Sequence, residues 1–140
     1  MKKVIAFLII FIITGCATPQ TYNPNNIENN KLATVKTTAG KQLLLNDNYV
    51  AWILYIYDSK NNEITKRNLL STKINEISLP SGEYRLEAEC VNKMYSGLPT
   101  AVFLLEPSKI YQIYCDVTKD KDFLGITVDS KVQLKIRETE

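Results

Sequence analysis

The side chains that carry most protein chemistry are thinly represented in this 140-residue chain, which has three cysteines and no histidine. Without histidine there is no Ser-His-Asp or Cys-His pair, no imidazole metal ligand, and no group whose ordinary pKa lies near neutrality. Catalysis would have to rest on carboxylates. Glu83, Glu87 and Glu89 fall on one phase of an alternating segment with Arg85 between them. Neighbours on such a face stand about 6.5–7 Å apart, close to the spacing of some glycosidase pairs. A solvated strand face predicts the same residues, so no catalytic residue and no enzyme is expected. Asp116, Asp120 and Asp122, interleaved with Lys119 and Lys121, suggest a crude cation loop. They lack the DxDxDG spacing, so a polar turn is expected, with no metal and no cofactor. Cys90 and Cys115 each lie on the apolar phase of their segments, which fits a bridge or two separate buried thiols. The aromatic content is richer: eight tyrosines and one tryptophan. Tyr55 and Tyr57 share a face, and Met94, Tyr95 and Leu98 sit in the adaptable stretch KMYSGLPT; together they form the candidate binding surface. The alternative is that the tyrosine rings are buried at the rim of the fold with their hydroxyls at water.

Positioning those residues falls to strands. From about Val35 the pattern has period two. Tyr84, Leu86, Ala88 and Cys90 alternate with Glu83, Arg85, Glu87 and Glu89, and Val132, Leu134 and Ile136 alternate with Lys131, Gln133, Lys135 and Arg137. The run from Tyr49 to Asp58 is apolar in both phases, which predicts a central strand covered on both sides. Further strands are expected at Lys41–Asn46, Ile74–Leu79, Ala101–Glu106, Lys109–Val117 and Leu124–Asp129, and an irregular segment at Ile64–Lys73. Turn residues separate them at 59–62, 80–82, 106–109 and 119–122. Seven to eight short strands at this spacing predict an all-β domain, an antiparallel β-sandwich or small barrel, over 34–140.

The N-terminus sets the address. Lys2 and Lys3 precede the apolar run Val4–Ile13, too short to span a bilayer but suited to a signal-peptide core. It ends in Ile13-Thr14-Gly15-Cys16, which resembles the lipobox of bacterial lipoproteins. The resemblance implies a signal peptide at 1–15, cleavage before Cys16 and a diacylglycerol anchor on its sulfur. With Ala17 rather than Asp after the cysteine, it also implies the outer membrane, with the domain in the periplasm or at the cell surface. An uncleaved N-terminal anchor is the alternative. Residues 16–33, rich in asparagine with Pro19 and Pro24, read as a flexible tether. Loss of Lys2 and Lys3 takes the 17 basic side chains to 15, matching the 15 acidic ones. A neutral chain without a Lys/Arg cluster has no electrostatic footprint for nucleic acid. In an exported protein, the favoured state of Cys90 and Cys115 is a disulfide.

Two further segments, ISLPSGEY (77–84) and EPSKIY (106–111), are similar to the turn-then-tyrosine strand starts of small bacterial lipoproteins with a prealbumin-like or PEGA-like sandwich. That likeness supports a fold and no activity. The functional expectation is a non-enzymatic, outer-membrane-anchored sandwich that binds an envelope protein partner. The other readings are a glycan- or peptidoglycan-binding module using exposed tyrosines, or a hydrolase inhibitor.

Overall fold

The computed structural model describes residues 19–38, 49–66 and 73–139. Cys16 with the signal segment, and the strand expected at 41–46, lie outside the described residues, as does most of 64–73. The described chain forms nine strands: β1 (Gln20–Thr21), β2 (Ala33–Lys36), β3 (Val50–Tyr57), β4 (Glu76–Leu79), β5 (Gly82–Val91), β6 (Ser96–Gly97), β7 (Thr100–Leu105), β8 (Ile110–Lys121) and β9 (Thr127–Thr139). They make an all-β, sandwich-like fold of two sheets. The first has the order β1-β4-β2-β8-β9. In the second, β3 lies on one side of β5, with β6 and β7 along the other. Most pairings are antiparallel as expected; β1 with β4 and β2 with β8 are parallel.

Along β5 the inward side chains shrink from Tyr84 through Leu86 to Ala88 and Cys90, each buried. Large side chains (Ile53, Ile56, Ile77, Leu79, Ile113) fill the core, and Ala51 stands opposite Cys90. At that end Cys90 and Cys115 are at disulfide distance, with S–S 2.05 Å and Cα atoms 5.9 Å apart. They are not on neighbouring strands of one sheet: β5 and β8 belong to opposite sheets, so the bridge staples the sandwich across its core.

Each tyrosine that follows a turn fastens it. Tyr84 donates its hydroxyl to the Pro80 carbonyl at 3.0 Å, and the Tyr111 hydroxyl accepts the Glu106 N–H at 3.0 Å. Ser108, in the second turn, takes the left-handed conformation (φ 63°) that a glycine would hold without strain.

Two expectations are revised and one is explained. Among the described residues β3 has its ladder with β5, and single bridges from Tyr57 to Glu63 and from Ile53 to Ile74 lie at its other edge. It is apolar in both phases because a bulge between Ile53 and Tyr55 inserts Leu54 and switches the inward phase from Ala51 and Ile53 to Ile56. The segment from Leu124 to Asp129 is not a strand of its own. Residues 122–126 close a hairpin whose arms β8 and β9 pair from Ile110↔Thr139 to Lys121↔Thr127. The described part of the expected tether is also packed on the domain. Gln20 and Thr21 pair with Ile77 and Ser78, Tyr22 packs against the core, and Leu32 and Ala33 are buried. One of the asparagines that suggested disorder, Asn23, acts as a backbone substitute, both donating to and accepting from Ile27.

The staple closes a loop of 24 residues and links the two sheets covalently across the core. The double variant Cys90→Ala/Cys115→Ala is therefore expected to lose about 3.5 kcal/mol of unfolding free energy. Urea denaturation of both proteins under non-reducing conditions measures this; equal midpoints would show that the bridge adds no stability.

Candidate binding groove

The sequence-predicted contact residues divide between two places. Tyr55 and Tyr57 lie on the outer face of the second sheet, opposite Glu87 and Arg85 in register, with ring centroids 6.2 Å apart and planes 18° from parallel. That face is largely engaged with itself. The Arg85 guanidinium sits 4.0 Å from the centroid of the Tyr57 ring, ion-pairs with Glu87 at 3.0 Å and donates to Asn61 at 2.7 Å. Lys73 lies 5.5 Å from the Trp52 ring and ion-pairs with Glu89. Two of the acidic residues that could have formed a catalytic pair, Glu87 and Glu89, are thus partnered with cations.

Met94 and Tyr95 stand elsewhere, at the mouth of a groove of about 590 Å³ lined also by Tyr49, Cys115, Val117, Lys119 and Asp129. Asn92 builds one wall: its side-chain oxygen accepts the N–H groups of Met94 and Tyr95 at 2.9 and 2.7 Å, and its own N–H donates to the Tyr95 carbonyl. This turn satisfies its own polar groups, so it can present Met94, 80% exposed, and Tyr95 to solvent with a fixed backbone. The opposite wall is the β8–β9 ribbon. Cys115 contributes the stapled strand to the lining, which ties the groove's position to the bridge. Leu98 is exposed at the break between β6 and β7, where Pro99 has no N–H for the ladder, and does not line the groove.

Tyr49 and Asp129 are among the lining residues that the sequence does not single out for contact. Tyr49 donates its hydroxyl to Asp129 at 2.8 Å across 80 positions of chain, a separation no local pattern reveals. Burial, then the hydrogen bond and the charge of Asp129, push the Tyr49 phenol up to about 12. Asp122 likewise serves structure, its carboxylate accepting two backbone N–H groups in its own loop. Among the described residues no group of three or more metal-ligating side chains comes together. With fold and groove described, comparison with known proteins adds nothing: no protein-family model, curated protein or solved structure matches the chain.

A phenol whose pKa rises on folding contributes stability that is intact below its unfolded value of 10.0 and lost as pH climbs through about 12. The difference between wild-type and Tyr49→Phe spectrophotometric titrations is expected to be one tyrosinate step at about pH 12. The stability advantage of wild type over the variant should shrink across the same interval. A difference step at pH 10.0 would show that the Tyr49–Asp129 bond is absent in solution.

Proposed function

We propose that this protein is a non-catalytic lipoprotein, held in the outer membrane through Cys16, whose sandwich binds an envelope protein partner in the groove between the 92–95 turn and the β8–β9 ribbon. The observation that carries the reading is the groove's make-up. Apolar contacts from Met94, Tyr95 and Val117 stand beside Lys119 and the Tyr49–Asp129 pair, on backbone held by Asn92 and by the stapled strand. A groove whose lining is shared about equally between apolar and polar groups suits a short protein segment with both kinds of side chain. A glycan-binding role on Tyr55 and Tyr57 is less well supported, because Arg85 covers a face of the Tyr57 ring on which a sugar would stack. Inhibition of a hydrolase would be one form of the same contact-based activity.

Replacing Tyr95 with a photo-crosslinking amino acid in cells should capture one dominant envelope protein, with far less product from the same probe at Tyr57. A scatter of abundant bystanders at Tyr95, or a stronger product at Tyr57, would overturn the assignment of the groove. Retention on isolated sacculi that falls when Tyr55 and Tyr57 become Ala would favour the glycan reading instead.

A further inference from the structure

The β8–β9 hairpin ends in an apolar tip that the groove does not use. Phe123, Leu124 and Ile126 are 95, 68 and 57% exposed, around Gly125, whose φ of +77° suits glycine. Such side chains at the end of an arm of about 12 residues, roughly 40 Å long, make a patch that ordinarily has a partner. We infer that this tip inserts into the headgroup region of the bilayer that carries the chain's own lipid. The inference rests on the proposed anchor at Cys16, and its test separates the two.

Three observations favour lipid. The first is internal satisfaction of the loop backbone. Asp122 N–H donates to the Ile126 carbonyl and Gly125 N–H to the Asp122 carbonyl, both at 2.9 Å, while Leu124 and Ile126 N–H donate to the Asp122 carboxylate at 2.9 and 2.8 Å. Entering an apolar medium therefore leaves few backbone donors unpaired, the main cost of placing a turn there. The 58–62 turn uses the same device, with Asp58 accepting from Lys60 and Asn62, but displays polar residues. The apolar residues at 123–126 are thus not a requirement of the turn.

The second is direction. Gln20, Ile77, Val35 and Tyr111 form one row across the first sheet, and β1 runs opposite to β8. β1 therefore enters the sheet from the end at which β8 carries the tip. Only four residue steps separate Gln20 from Cys16, a reach of at most about 14 Å. The tip lies about ten residues beyond Tyr111 along β8, roughly 33 Å in the same direction. A lipid on Cys16 with so short a reach holds this end of the domain against the bilayer, and a lean of the ribbon brings the tip to headgroup depth.

The third is reach. Lys119, Lys121 and Lys131 are exposed behind the tip; Asp120, Asp122 and Asp129 make this end formally neutral, but Asp122 is turned onto its own loop and Asp129 accepts the Tyr49 hydroxyl. Lysines a few residues behind aromatic and aliphatic side chains can reach anionic headgroups while the apolar groups enter.

The test uses the full chain, processed in cells and reconstituted in phosphatidylethanolamine–phosphatidylglycerol vesicles. Trp52→Phe removes the native indole, and Phe123→Trp, at an exposed site, places a single reporter indole at the tip. Intact mass reads diacylglycerol on Cys16 independently. The expected result is acylated protein whose tip fluorescence is blue-shifted, quenched by brominated lipid and several-fold less accessible to acrylamide than in detergent-free buffer without vesicles. Acylated protein with a solvent-like reporter overturns the tip proposal and leaves the anchor standing. An unacylated chain whose reporter is still quenched by brominated lipid overturns the anchor alone, and one without quenching overturns both. Shielding from acrylamide without quenching by brominated lipid would assign the tip to a protein surface and overturn the lipid proposal.

Discussion

The bridge between Cys90 on β5 and Cys115 on β8 brings the Cα atoms of opposed sheets to 5.9 Å, well inside the roughly 10 Å at which stacked sheets ordinarily pack. Beside the bridge, Ala51 and Ala88 are small inward neighbours of Cys90 in the second sheet, while the buried Leu134 pairs with Cys115 in the first. Away from the bridge the inward side chains of β5 grow through Leu86 to Tyr84, whose hydroxyl closes the Pro80 turn. The bridge also bears on the groove. Because β8 is pinned at Cys115, the two residues after it on the groove side, Val117 and Lys119, are held in place where the strand leaves the sandwich as a ribbon.

A shared local device explains how a small domain can display apolar groups without disorder. In the 92–95 turn and the 122–126 loop, an Asn or Asp side chain accepts two backbone N–H groups, so the turn backbone needs little from water or from a partner. Met94, Tyr95, Phe123 and Leu124 are then carried at fixed positions while remaining open to solvent. The outer face of the second sheet follows the opposite logic: Tyr57 and Trp52 lie beside Arg85 and Lys73, and Glu87 and Glu89 are paired with the same cations. Self-engagement there and display at the ribbon end give the molecule one side suited to contact.

Strict alternation made β5 and the end of β9 legible, and with them the inward phase of both cysteines. What alternation could not show is which sheet each strand joins. The parallel pairing of β2 with β8 depends on contacts 76 positions apart, Thr34 to Ile110, and it places Cys115 across the core from Cys90 rather than beside it. A single inserted residue, Leu54, shifts the inward phase along β3, so both phases of the strand read as apolar. Asparagine-rich composition resembled a tether because turn-forming and disordered segments use the same residues. The groove was half legible: Met94 and Tyr95 stood out as apolar residues in a turn, whereas Tyr49 and Asp129 meet only through the fold. The hairpin tip was missed because Leu124 and Ile126, taken with Val128, imitate the spacing of a strand.

That this domain works by contact through its groove is tested most directly by hydrogen–deuterium exchange on the protein in isolated native envelopes and on the purified protein. The account predicts slower exchange in the envelope at residues 92–97 and 115–119, with β3 and the outer edge of the second sheet unchanged. Equal exchange at the groove in both samples, with protection appearing instead over residues 52–57, would contradict it.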